Sequence, residues 1–233
     1  SKMTAGMHTL RKKLVPALIT SLCAILLPLS GCKIVPNDQR AAADGSSANQ
    51  TAEGFNAAGY VDSVWATQLV PHFDGKASDL ATVIAAIKAN LDEAGHKYGH
   101  RAAAEGSPWS FAVKSTGKVV SVNTESRAGT LVVEIPSDAG PQQVTLQIGP
   151  VVKGSAIRDT LPFFSFGKVT NQIEYAQVGR AFNERALKEI EKPLAELKTP
   201  GASLEFEGSI SLTDVPEIFL VTPVSLKPAG EAQ

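Results

Sequence analysis

Cysteine is nearly absent from this chain of 233 residues: there are two, Cys23 and Cys32. Cys23 falls in an apolar stretch that reads as a removable signal segment. The mature chain then carries Cys32 alone, which excludes an internal disulfide framework even in an oxidising compartment. Aromatic residues make up only 6% of the chain, so each large ring is expected in the core rather than at a surface. No excess of positive charge exists either, since the formal net charge is −1. Removal of the first 31 residues, which hold Lys2, Arg11, Lys12 and Lys13 and no acidic side chain, takes that charge to −5. An acidic domain is a poor match for a phosphate backbone, and nucleic acid is excluded as an expected partner. The longest apolar run, Leu14 to Leu29, contains Pro16 and Pro28 and is shorter than the roughly twenty residues of a spanning helix. Catalytic motifs are missing as well. Ser155 and Ser165 do not sit in a G-x-S-x-G elbow, and His96 and His100, four residues apart, have glycines beside them and no cysteine to complete a zinc site. No cofactor and no metal are expected.

What is present begins with an address. Met7 is the expected start, followed by Arg11-Lys12-Lys13, the apolar run and then Leu29-Ser30-Gly31-Cys32, the layout of a secretory signal. These last four residues resemble the lipobox of bacterial lipoproteins. The resemblance implies a diacylglyceryl group on the Cys32 thiol, cleavage before it, and anchoring of the mature protein to a membrane at the periplasmic side. Lys33, in place of aspartate, slightly favours the outer membrane if the cell is Gram-negative. The expected organisation is a signal over 1–31, a flexible tether over 32–54 rich in Ala, Ser, Asn and Gly, and one domain over 55–233.

Within that domain, Tyr60, Val61, Val64, Trp65 and Leu69 follow a helical period that Pro71 is expected to close. Ser78 is expected to cap a second helix, with Leu80, Val83, Ile84, Ile87 and Leu91 on its apolar face and Gly95 and Gly99 at its end. The period then changes to two, through Trp109, Phe111 and Val113, Val120 and Val122, Leu131, Val133 and Ile135, and Val144, Leu146 and Ile148. These are three strands, or one long bent strand and two more, with Gly117 suited to a bend. A helix opens at Thr170 or Asn171 with Glu174 in the capping-box position, and Pro193 is expected to end or kink it. Leu204, Phe206, Ile210 and Leu212, then Ile218, Leu220, Val224 and Leu226, are expected to form two closing strands. The fold class is therefore α+β: a five-stranded OB-like Greek-key barrel with a long helical insertion and an N-terminal helical pair.

Several blocks together resemble the predicted periplasmic lipoproteins classed as domain of unknown function 2291. They are the lipobox, Gly59-Tyr60-Val61 with Trp65, the segment Ile148-Gly149-Pro150-Val151 through Gly154, Ala156, Arg158 and Asp159, the run Phe166 with Asn171-Gln172 and Tyr175, and Thr222-Pro223-Val224. The resemblance implies a setting beside sugar ABC transporters and supplies no activity. The expected function is a binding or interaction module without enzymatic activity, with a transporter component or a small carbohydrate as partner. The alternative is an enzyme acting on envelope saccharides. Oligomeric state has no signature in the chain. Lys153, Arg158, Asp159, Asn171, Gln172 and Tyr175 are the candidate contacts, because an arginine fork beside amides can hold hydroxyls or a carboxylate. The structural reading of the same block, which turn chemistry favours, is a turn fixed by an Arg158 ion pair. Glu205 and Glu207 share one side of a strand and read as its solvated face.

Overall fold

The computed structural model describes residues 54–102 and 106–230. The lipobox residues Leu29, Ser30, Gly31 and Cys32 and most of the expected tether lie outside the described residues. Five strands form the centre of the fold: β1 (Trp109–Asn123), β2 (Thr130–Ile135), β3 (Gln142–Gln147), β4 (Ser203–Leu212) and β5 (Leu220–Pro228). Antiparallel ladders join β1 to β2, β2 to β3, β5 to β4 and β4 back to β1, while β3 and β5 pair in parallel. The ring thus closes in the order β1-β2-β3-β5-β4-β1, which is the expected OB-type topology.

Closure depends on β1. Its first ten residues pair with β4, and five of its last six, all but Val120, pair with β2, the two ladders overlapping at Lys118. At the overlap a Cβ on Gly117 would lie 2.5 Å from a Val133 methyl and 2.7 Å from the Glu134 carbonyl, so only glycine lets the strands approach there. A bulge between Val119 and Ser121 follows. The inward phase of Phe111, Val113 and Gly117 runs on to Val119, which is buried, and leaves Val120 40% exposed, opposite to the expectation for Val120; beyond the bulge the phase reverses and Val122 packs on the core. The phase also differs at the entry to β5, where Phe219 and Val221 are buried and Ile218 is exposed.

The barrel is filled by Phe111, Val113, Leu131, Val133, Ile135, Val144, Leu146, Leu204, Phe206, Ile210, Phe219 and Val221, continued by helical residues Leu80, Val83, Ile84, Ile87, Ile190 and Leu197. Each large side chain so buried contributes about 1.5–3 kcal/mol. A second cluster lies between the helices, with Val61, Val64, Trp65, Leu69 and Phe73 packed on Ile157, Leu161, Phe164, Val178, Phe182 and Val224.

The helices differ from expectation in three places. First, α1 (Ala57–Val64) does not stop at Pro71 but passes through a π turn, Trp65–Leu69, into α2 (Val70–Lys76). The Val70 N–H reaches back to the Trp65 carbonyl, and the wide turn delivers Pro71 to a first turn, where its missing N–H costs nothing. Second, Asp79 rather than Ser78 caps α3 (Leu80–Ala89), accepting from the Thr82 N–H at 2.9 Å. The extended Asn90 then breaks the helix and caps α4 (Leu91–Tyr98). Gly95 is internal to α4 rather than its end, because the Trp109 indole occupies the space of a side chain. Third, after the short α5 (Ala156–Thr160), the insertion helix α6 (Gln172–Leu197) runs through Pro193. Its apolar stripe continues through Leu194 and Leu197 onto the barrel, and that burial outweighs the lost hydrogen bond. The start of α6 is as expected: Asn171 caps it, and Glu174 reaches back to the Thr170 N–H at 2.8 Å. No helix among the described residues is long and apolar enough to cross a membrane.

Candidate functional site

Strand alternation turns Leu204 and Phe206 into the barrel and Glu205 and Glu207 outward. Register then aligns each carboxylate with a residue on either neighbouring strand. Glu207 stands between Lys114 of β1 and Ser225 of β5, and Glu205 between Thr116 and Lys227. These two cross-strand rows form the floor of a cleft of about 700 Å³. Leu69 from the π turn and Val70, Phe73 and Asp74 from α2 form its wall, with Asp79 at its rim. A register shift at Glu207/Gly208 skips Val224, which joins the helical cluster beneath that wall. Glu205 and Glu207 are therefore half-buried in a covered groove and not on an open solvated face.

The electrostatics of the floor are mixed. Lys227 Nζ lies 3.3 Å from Glu205 Oε2, and the Ser225 hydroxyl donates to Glu207 at 3.4 Å. Burial and, after it, the charge of Asp74 push the Glu207 carboxyl above its usual range, against the Ser225 hydrogen bond and the charges of Lys114 and Lys227. Carboxylates can accept from ligand hydroxyls, the lysines can donate, and Val70, 40% exposed over the buried Leu69 and Phe73, offers an apolar surface to C–H groups. A volume of this order suits a small molecule.

The candidate contacts named from the sequence lie elsewhere. Arg158, Asp159 and Tyr175 do come together: Arg158 bonds the Asp159 carboxylate through Nε at 2.8 Å and a terminal nitrogen at 2.7 Å, and donates to the Tyr175 carbonyl at 2.9 Å. Each of its three nitrogens thus makes a contact within the fold. Asn171 is occupied in capping α6, and Gln172 is exposed beside it. Lys153 is exposed while its backbone is clamped by the buried Gln147, whose amide accepts from the Lys153 N–H at 2.8 Å and donates to its carbonyl at 3.0 Å. Asn183 of α6 donates to the Gly154 carbonyl at 2.9 Å. The whole block fastens β3 to α6. His96 and His100 are also divided, for His96 packs edge-on against Trp109 while His100 lines a different cleft.

Comparison with known proteins agrees with this architecture. The family described as predicted periplasmic lipoprotein, DUF2291, matches residues 22–227. The chain belongs to that family. This DUF2291 protein is accordingly a periplasmic lipoprotein anchored to a membrane. Among solved structures, an OB-fold protein from Thermotoga maritima matches with a TM-score of 0.61 at 16% identity, covering 75% of this chain and 99% of that one. That likeness concerns the fold alone. No match is found among curated proteins.

The cleft was missed at the sequence level because its parts are far apart in the chain. A usable signal was nevertheless present: the apolar face of Leu69 and Phe73 needs a strand surface to cover, and the outward residues of β1, β4 and β5 are charged or polar.

Proposed function

We propose that this lipoprotein is a non-enzymatic binding module that holds a small polyhydroxylated ligand, of pentose or hexose size, in the cleft over β1, β4 and β5. One observation supports the reading above others: the paired rows Lys114–Glu207–Ser225 and Thr116–Glu205–Lys227 lie under an apolar wall. Sugar sites need such alternating donors and acceptors beside an apolar surface for the ring. An accessory role beside a sugar ABC transporter rests on the family resemblance. Lys33 after the lipidated cysteine favours delivery to the outer membrane of a Gram-negative cell.

Calorimetric titration of the full chain in detergent with pentoses and hexoses tests the proposal. Saturable binding is expected, weakened about tenfold by Glu207→Gln, in line with loss of a charge-assisted hydrogen bond. Arg158→Ala is expected to leave affinity unchanged wherever the variant stays folded. If no sugar binds, the proposal fails. Release of reducing ends from envelope glycans, abolished by Glu207→Gln, would instead establish the saccharide-acting enzyme.

A further inference from the structure

A second cleft, of about 530 Å³, opens where α2, the end of α4, β1 and α5 meet. Its titratable lining consists of His72, Lys76, Lys97, Tyr98 and His100, and no described carboxylate lines it. Such a concentration of one sign is unexpected in a chain whose formal charge is −1. Lys76 and Lys97 fall in the last turns of α2 and α4, where the helix dipole favours cations. The dipole does not account for two half-buried imidazoles lining the same cavity.

Hydrogen-bond accounting points the same way. The buried hydroxyls of the lining have already committed their hydrogens, Ser110 to the Ser211 hydroxyl at 3.0 Å and Thr160 to the Ala156 carbonyl at 2.7 Å. Among the described residues, neither histidine and neither lysine of the cleft takes part in an ion pair. The carboxylate that faces His100 is Asp159 of α5, and Arg158 holds it at 2.7 Å. Burial, followed by the positive charges of His100 and Lys76, lowers the basicity of His72. Burial lowers that of His100, against the charge of Asp159.

We propose that this cleft binds a small oxyanion, with a phosphoryl or carboxylate head, between His72 and His100 and flanked by Lys76 and Lys97. The site is separate from the sugar cleft and stands or falls independently of it. An anion placed there relieves the mutual repulsion of the cations and favours the charged imidazoles. Binding therefore takes up protons, and affinity falls as pH rises through the histidine range.

The full chain in detergent micelles, titrated with inorganic phosphate and separately with succinate, tests this by the proton resonances of the imidazoles. His72 and His100 are expected to shift saturably with at least one anion, while the exposed His96 does not. Affinity is expected to drop about tenfold between about pH 5.5 and pH 8. The two anions decide between a phosphoryl and a carboxylate head. His72→Gln is expected to weaken the response of His100 about tenfold, and His100→Gln that of His72; should either not fold, Lys76→Ala with Lys97→Ala is expected to weaken both about tenfold. Shifts that do not saturate, that appear equally at His96, or that these substitutions leave unchanged would overturn the proposal.

Discussion

The guanidinium of Arg158 lies 3.7 Å from the centre of the Tyr175 ring and at the same time holds the Asp159 carboxylate at 2.7 Å. Tyr175 in turn stacks on Phe164 at 5.8 Å and meets Phe166 edge-on. The arginine therefore joins α5 to the start of α6 through cation–π, ionic and carbonyl contacts, with its side chain 11% exposed. Arg158→Ala is expected to destabilise the fold by about 2 kcal/mol, since it leaves a half-buried carboxylate and a carbonyl without their donor. Urea denaturation measures this, and a double-mutant cycle with Asp159→Asn isolates the ion pair. A loss below about 0.5 kcal/mol would show that the contacts are incidental.

Gly95 offers a steric test of how α4 sits on the barrel. A Cβ there would fall 2.2 Å from the Trp109 ring, whose indole nitrogen donates to Asp92 at 3.0 Å. On propensity alone Gly95→Ala would stabilise an internal helical position by about 1 kcal/mol. The clash opposes this, and overpacking of a filled site costs about 1–3 kcal/mol. A net loss near 1 kcal/mol is expected, accompanied by a change in Trp109 fluorescence. A stabilised variant would mean that α4 can move away from the sheet at little cost.

The legible parts of the fold are those in which a local pattern and the final contact coincide. Leu131, Val133 and Ile135 alternate and all point inward; Asn171 and Glu174 carry their cap within one turn. Errors arise where a distant partner decides. Val119 rather than Val120 points inward because the pairing of β1 with β4 carries the phase of Phe111 and Val113 up to the bulge, and Pro193 stays within α6 because the barrel buries Ile190 and Leu197 on either side of it. The site follows the same rule. Arg158 and Tyr175 are recognisable as a group, and the structure brings them together through a carbonyl bond and a cation–π contact. Glu205 and Glu207 read locally as a wet strand face, and only the return of α2 across the sheet turns that face into a cleft.

Glu207 also makes stability depend on pH. Its carboxyl is raised above the usual range by burial and by the charge of Asp74. A group whose folded pKa exceeds its unfolded value binds more protons in the native state, so stability falls as pH rises through the window between those two values. Below the unfolded value of about 4.3 the proton is bound in both states and the native carboxyl is neutral. Glu207→Gln is expected to raise Tm slightly at pH 7, by no more than about 3 °C, with the difference vanishing near pH 4. Asp74→Asn is expected to act in the same direction by removing the second cause. Thermal melts at both pH values check this, and an equal shift at pH 4 and pH 7 would defeat the electrostatic explanation.

The lipobox resemblance makes anchoring rest on one atom. In the lipoprotein pathway that Leu29-Ser30-Gly31-Cys32 resembles, the thiol of Cys32 receives the diacylglyceryl group, and the hydroxyl of serine is not a substitute. Each buried methylene contributes about 0.8 kcal/mol, and one chain alone holds a protein only marginally, whereas two or more give stable attachment. Cys32→Ser is therefore expected to move the protein from the membrane pellet to the soluble periplasmic fraction, and the intact mass is expected to lose that of the acyl chains. The domain itself should be unaffected, with an unchanged melting curve, because its two apolar clusters are built from residues between Val61 and Leu226. Continued sedimentation with membranes, together with an unmodified mass in the parent protein, would show that attachment runs through protein contacts instead.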